Sequence, residues 1–198
     1  MIEVDVDELH WLMDVNVYGV YRVTQAFAPL IIESKGRIAT IGSISGILSG
    51  QFSGQYSMSK HAIEAYTDTL AIEMAKFGVQ VSVIEPGNYD SAIAATALQR
   101  AQENAQSNPD TLYAAEIEEF MSQSADRSHY KDPGEVADAA MHAMFDDNPV
   151  RRYMVVPREE EASWTINKAI EELVQLNEYQ AYSYTREELI EKLDAALQ

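Results

Sequence analysis

From Asp5 to Ser34 the apolar residues fall at helical spacing. Leu9, Leu12, Met13, Val17, Val20, Val23, Phe27, Leu30 and Ile31 recur three and four positions apart, which predicts one long helix with an apolar stripe. Asp5 with Glu8 is the D-x-x-E pattern of a capped helix start. Pro29 is expected to kink or end the last turns. Gly36 breaks the pattern, and Arg37 to Ile41 read as a short buried strand. A Ser/Gly loop follows, with glycines at 42, 46, 50 and 54. Gln55 to Phe77 read as a second helix closed by Gly78. Val79 to Ile84 are a strand rich in β-branched residues, and "EPGNYDS" is a turn. Residues 93–123 are helical but polar, interrupted by "SNPD". A further helix starts near Pro133, Arg151 to Pro157 form a strand, and Ala162–Leu176 and Arg186–Leu197 are acidic helices. Alternating helices and strands of this kind build an α/β fold with a parallel sheet and crossover helices.

Composition narrows the function classes. The chain has 198 residues and 46% hydrophobic content, enough for one domain with a core. A net charge of −18 disfavours phosphate backbones and anionic lipid as partners. There are no cysteines, hence no disulfide framework and no thiolate metal site. No run of apolar residues is long enough to span a membrane, and the acidic start lacks a signal-peptide pattern. The expectation is a cytoplasmic protein. His10, His61, His129 and His142 show no metal spacing, so no metal site is expected.

The candidate chemistry lies in "GQYSMSKHA". Tyr56 and Lys60 stand four apart, on one helix face. With 11 tyrosines, chance gives roughly one such pair in every three or four chains. The surroundings carry more weight. Ser43 lies at the end of one strand, Pro86-Gly87 at the end of the next, and Tyr56 opens the helix after the first. Ligands of open α/β sheets bind outside such carboxyl ends. Asn16 sits in "VNVYG" of the first helix.

Together "VNVYG", "GRIATIGSISG", "YSMSK" and "VIEPGNYDS" closely resemble the short-chain dehydrogenase/reductase family over about residues 5–92. "RRYMVVP" resembles that family's last strand. The resemblance implies a Rossmann-like three-layer parallel sheet with flanking helices, present as its C-terminal part. It implies NAD(P)-dependent hydride transfer on an alcohol or ketone. Tyr56 would exchange the proton, with its pKa lowered by Lys60. Lys60 and Tyr56 would also hold the nicotinamide ribose. Ser43 would orient the substrate oxygen, Asn16 would bend its helix and hold a water in a relay to Lys60, and Pro86, Gly87 and Ser91 would line the nicotinamide. Ser91 stands where the family often has Thr.

The same comparison marks what is missing. The family's T-G-x-x-x-G-x-G turn, its cofactor-selecting residue and its Asn-Asn-Ala-Gly run have no counterpart in the sequence. Roughly ninety residues are absent relative to the family layout, about one βαβαβ half plus a strand. The expectation is a single truncated domain over 1–198, with a catalytic core at 5–92, a substrate flap at 93–130, the last helix and strand at 131–157 and acidic helices at 158–198. NAD or NADP would be the cofactor. Without a preceding strand partner, Arg37–Ile41 is expected to be a sheet edge. Helices 6–33 and 55–77 would form a homo-oligomer contact, as is common in the family. Substrate contacts are expected from the Ile47–Phe52 loop, Tyr89 and the flap, where Ile93, Leu98, Leu112, Phe120 and Met121 point to a lipophilic, retinoid- or steroid-type molecule. The alternative is a non-catalytic remnant that binds a partner through its helical dimer surface.

Overall fold

The structure is a computed structural model that describes residues 1–125 and 130–198. Residues 126–129 of the expected flap, and the side chain of Leu98, lie outside the described residues. The elements run α1 (Val6–Met13), a π-helical turn (Asp14–Tyr18), α2 (Gly19–Ser34), β1 (Arg37–Ile41), a 3₁₀ turn (Ile44–Gly46), α3 (Gly54–Ala75), β2 (Gln80–Pro86), α4 (Ala92–Ser107), α5 (Ala114–Ala125), α6 (Gly134–Phe145), β3 (Arg152–Val155), α7 (Glu159–Glu178) and α8 (Arg186–Ala196).

The strands form a parallel sheet in the order β1-β2-β3. Ile38 pairs with Val81, and Ile84 with Tyr153. Alternate side chains leave a strand on opposite faces. Ile38, Val81 and the end of α3 build one core, where Ala71, Met74, Val79 and Val81 are buried and Ile31, Ile32 and Leu70 pack against them. On this face Thr40 meets Thr67 of α3, hydroxyl to hydroxyl at 2.7 Å. Arg37 points the other way and donates to the Ala143 carbonyl of α6 at 3.3 Å. The result is the parallel sheet with flanking helices that the alternation of elements predicted, Rossmann-like as the resemblance implied. β1 is an edge strand, paired with β2 alone among the described residues.

Two local expectations shift. The long first helix does not end at Pro29, which lies inside α2. Its irregularity is the π turn at Asp14–Tyr18, which contains Asn16. The helix ends on Lys35 rather than Gly36, because Lys35 takes the left-handed conformation with φ 49°. Gly78 does close α3, with φ 73°, a value that glycine adopts without strain. Among the described residues no helix is long and apolar enough to cross a membrane.

Candidate active site

The site sits where β1 and β2 end. Gly42 continues β1, its amide donating to the Ile84 carbonyl at 2.7 Å. Ser43 is extended, with φ −176°. Its hydroxyl accepts from the Ser45 amide at 3.1 Å and so caps the 3₁₀ turn, while donating to the Pro86 carbonyl at 3.4 Å. That geometry ties the ends of β1 and β2 together through one side chain. The chain then loops back and enters α3 at Gly54.

Tyr56 lies in the first turn of α3, with Ser43 near enough to its hydroxyl to influence its titration. Lys60 lies one turn on. Its ammonium is buried, donates to the Ile41 carbonyl at 3.0 Å and stands 5.6 Å from the centroid of the Tyr56 ring. Burial pulls the Lys60 amine down to about 8, against an opposing attraction from Glu64. Burial also pushes the Tyr56 phenol up, and the Ser43 hydroxyl holds it back. The balance at Tyr56 is therefore upward, the reverse of the lowering expected from Lys60. The ammonium here is engaged with a backbone carbonyl, and desolvation of the phenolate dominates.

Asn16, in the π turn, reaches the same helix. Its amide donates to Ser59 Oγ at 3.0 Å, and Ser59 Oγ donates to the Tyr56 carbonyl at 2.7 Å. Asn16 thus braces the turn between Tyr56 and Lys60. Pro86 and Gly87 are half-buried at the end of β2, and the Gly87 amide donates to the Val155 carbonyl at 2.8 Å. Ser91 is exposed, directly before α4. Tyr89 is not a surface contact. It is buried, and its hydroxyl donates to Glu135 of α6 at 2.5 Å.

Three carboxyl and hydroxyl groups escaped the sequence reading. Ser59 lies inside the quoted "YSMSK" and could have been found from its place on the buried face. Glu64 stands four residues beyond Lys60, again on one helix face. Glu161 of α7 is fully buried, accepts the Asn88 amide at 2.8 Å and pairs with Arg158, so it anchors the Pro86–Ser91 turn from a distant part of the chain. A Cβ on Gly87 would overlap Glu161 Oε2, which is why the turn needs glycine there. No local signal marks that long-range contact.

Loop and flap meet through aromatic side chains. Phe52 packs edge-on against Tyr113 and Phe120, with centroids 5.9 and 6.0 Å apart. A cavity of about 270 Å³ opens beside α5, lined by Asn108, Thr111, Ile117 and Met121 among others. Ser43, Tyr56 and Lys60 do not line it, so it is not the reaction site.

The donor set at Tyr56, Lys60 and the Gly87 turn fits the nicotinamide and ribose end of a dinucleotide. Nothing comparable fits its pyrophosphate, because the sequence holds no T-G-x-x-x-G-x-G stretch.

Comparison with known proteins agrees with this fold. The family model described as short chain dehydrogenase matches residues 1–102. Mitochondrial D-beta-hydroxybutyrate dehydrogenase of Bos taurus is 34% identical over 155 residues, covering 71% of this chain and 44% of the relative. Retinol dehydrogenase 16 of Homo sapiens is 40% identical over 82 residues, 41% of this chain and 26% of the relative. The chain thus spans less than half the length of these two relatives. A short chain dehydrogenase/reductase from Burkholderia phymatum, solved in complex with NAD, superposes with a TM-score of 0.70 at 22% identity, over 93% of this chain and 65% of that one. A gluconate 5-dehydrogenase from Burkholderia cenocepacia, solved with NADP and tartrate, gives 0.57 at 20% identity, over 81% and 58%. With a family match across more than half its length, the chain belongs to the short-chain dehydrogenase family.

Proposed function

We propose that this chain carries the catalytic end of an NAD(P)-dependent oxidoreductase acting on an alcohol or a ketone. The observation that carries the reading is the clustering of Ser43, Tyr56 and Lys60 at the ends of β1 and β2, with Ser43 and Lys60 buried and the Lys60 ammonium 5.6 Å from the centroid of the Tyr56 ring. A bound nicotinamide would supply hydride exchange with the carbon that bears the reacting oxygen. Tyr56 holds the proton that leaves or reaches that oxygen. Ser43 donates a hydrogen bond to the oxygen and fixes its position. Lys60, together with Tyr56, holds the ribose, and Pro86, Gly87 and Ser91 line the nicotinamide. Asn16 steadies the Tyr56–Lys60 turn through Ser59. The lipophilic substrate class rests on the Phe52–Tyr113–Phe120 cluster and on relatives named for retinol and 3beta-hydroxysteroid. Cytoplasmic placement is not carried over from the relatives, since several are named as mitochondrial.

The test is turnover. Straight-chain and ring-bearing alcohols are offered with NAD and then NADP, and reduced nicotinamide is followed by absorbance. The reading predicts oxidation that improves with the size of the apolar group. No turnover of any alcohol or ketone with either cofactor would contradict it. The second reading, a partner-binding remnant, would then be preferred. It is favoured by the exposed apolar residues Trp11, Tyr21, Val23, Phe27 and Leu30 along α1 and α2.

A further inference from the structure

Behind the reacting groups lies a buried ionic cluster that the proposed chemistry does not use. Glu64 of α3 is 8% exposed and Glu85 of β2 is 3% exposed. Arg152 of β3 binds both, with Glu64 as one partner and Glu85 Oε1 at 2.7 Å as the other. Arg152 also meets Asp68 Oδ2 at 2.7 Å, and Arg151 reaches the same carboxylate. Glu64 is pressed under the turn that carries Ser43. A Cβ on Gly42 would lie 2.7 Å from Glu64 Oε1, and one on Gly46 would lie 2.7 Å from its Cγ. The two glycines therefore leave room for this carboxylate. Glu64 Oε1 is buried without a hydrogen-bond partner. Such an oxygen costs stability unless a charge compensates it.

Arg152 compensates the other oxygen, and a second cation, Lys60, lies one helical turn away. Glu64 follows Lys60 at i+4, on the same face, and its attraction supports the buried ammonium against desolvation. We propose that Glu64 is a positioning residue for Lys60 and Ser43: its buried carboxylate fills the space under the Ser43 turn and faces Lys60 from the next turn of α3. The inference rests on the oxidoreductase reading for its purpose, but not for its test. The charged and titratable groups around Glu64 are Lys60 and Asp68 from α3, Glu85 from β2 and Arg152 from β3, with Arg151 beyond them on Asp68. Arg152 places one fixed positive charge among the carboxylates of Glu64, Glu85 and Asp68.

The experiment follows the Lys60 amine itself. Protein labelled with ¹³C at the lysine side chains is titrated by NMR, and the Lys60 signal is assigned by its loss in Lys60→Arg. In Glu64→Gln the Lys60 midpoint should fall by about one pH unit. In Glu64→Asp it should recover in part. A folded Glu64→Gln protein with an unmoved Lys60 midpoint would overturn the proposal, because a filler of the cavity would leave it unchanged. Should Glu64→Gln fail to fold, the wild-type protein labelled at the glutamate carboxyl carbons decides. The Glu64 carbon should then show an inflection at the Lys60 midpoint, and a flat response there overturns the proposal as well. Neither readout needs turnover. An inactive chain whose Lys60 follows Glu64 sinks the oxidoreductase reading alone. An active one whose Lys60 ignores Glu64 sinks this inference alone.

Discussion

Lys60 is the residue at which burial, charge and the proposed function compete most directly. In the fold its amine titrates at about 8, against an ordinary value of 10.5. Between those values the unfolded chain binds the extra proton, so stability rises with pH across that window. Below the window the buried ammonium is a standing cost. Glu85 acts lower and in the opposite sense. Burial and the neighbouring Glu64 raise it from 4.5 to about 7, so its contribution to stability falls as pH climbs through that range. Tyr56 is raised too, and its opposing contribution begins only above its ordinary value of 10. Denaturant midpoints at about pH 8 and about pH 10 should therefore show a gain in wild type that Lys60→Met lacks. Equal gains in both proteins would contradict the burial assigned to Lys60. Tyr56 and Lys60 were legible in the sequence because their spacing and the flanking motifs are local. The upward balance at Tyr56 was not, since it depends on how much solvent the folded chain removes.

Among the elements, the π turn carries the most consequence for the site. The apolar spacing of the first thirty-odd residues gives a helix but cannot show one extra residue in a turn, because the stripe persists on either side. π turns recur at functional sites, and this one presents Asn16 to Ser59 at 3.0 Å. Asn16→Ala should lower stability by about 1 kcal/mol, the usual worth of one hydrogen bond, as read from chemical denaturation. An unchanged midpoint would mean that the Asn16–Ser59 bond adds nothing to the hold on α3. The parallel sheet and the crossover helices were readable from the alternation of β-branched runs and amphipathic stretches. Glu161 shows the other limit. It reaches the Gly87 turn across more than seventy residues of sequence, and a buried carboxylate in an acidic stretch looks like any solvated helix start.

At the scale of the molecule, charge and exposed apolar surface pull in opposite directions. The net charge of −18 repels copies of the chain. Trp11, Tyr18, Tyr21, Phe27, Leu30 and Ile72 nonetheless remain largely exposed on α1–α3 and the turn between them. A dimer through these helices would bury them, and salt would strengthen it by screening the charge. Sedimentation should show a dimer that tightens with salt and is lost in Phe27→Glu. A monomer under all conditions would remove the dimer proposal. The fold places Tyr56, Ser43 and Lys60 at the carboxyl ends of two strands, where α/β proteins bind ligands, and the account stands on Tyr56 as the proton carrier. The most direct test is the rate of Tyr56→Phe, with folding checked by circular dichroism. The account predicts a loss of about 10²–10⁴-fold in turnover with the fold intact. A folded Tyr56→Phe protein that works at the wild-type rate would contradict it.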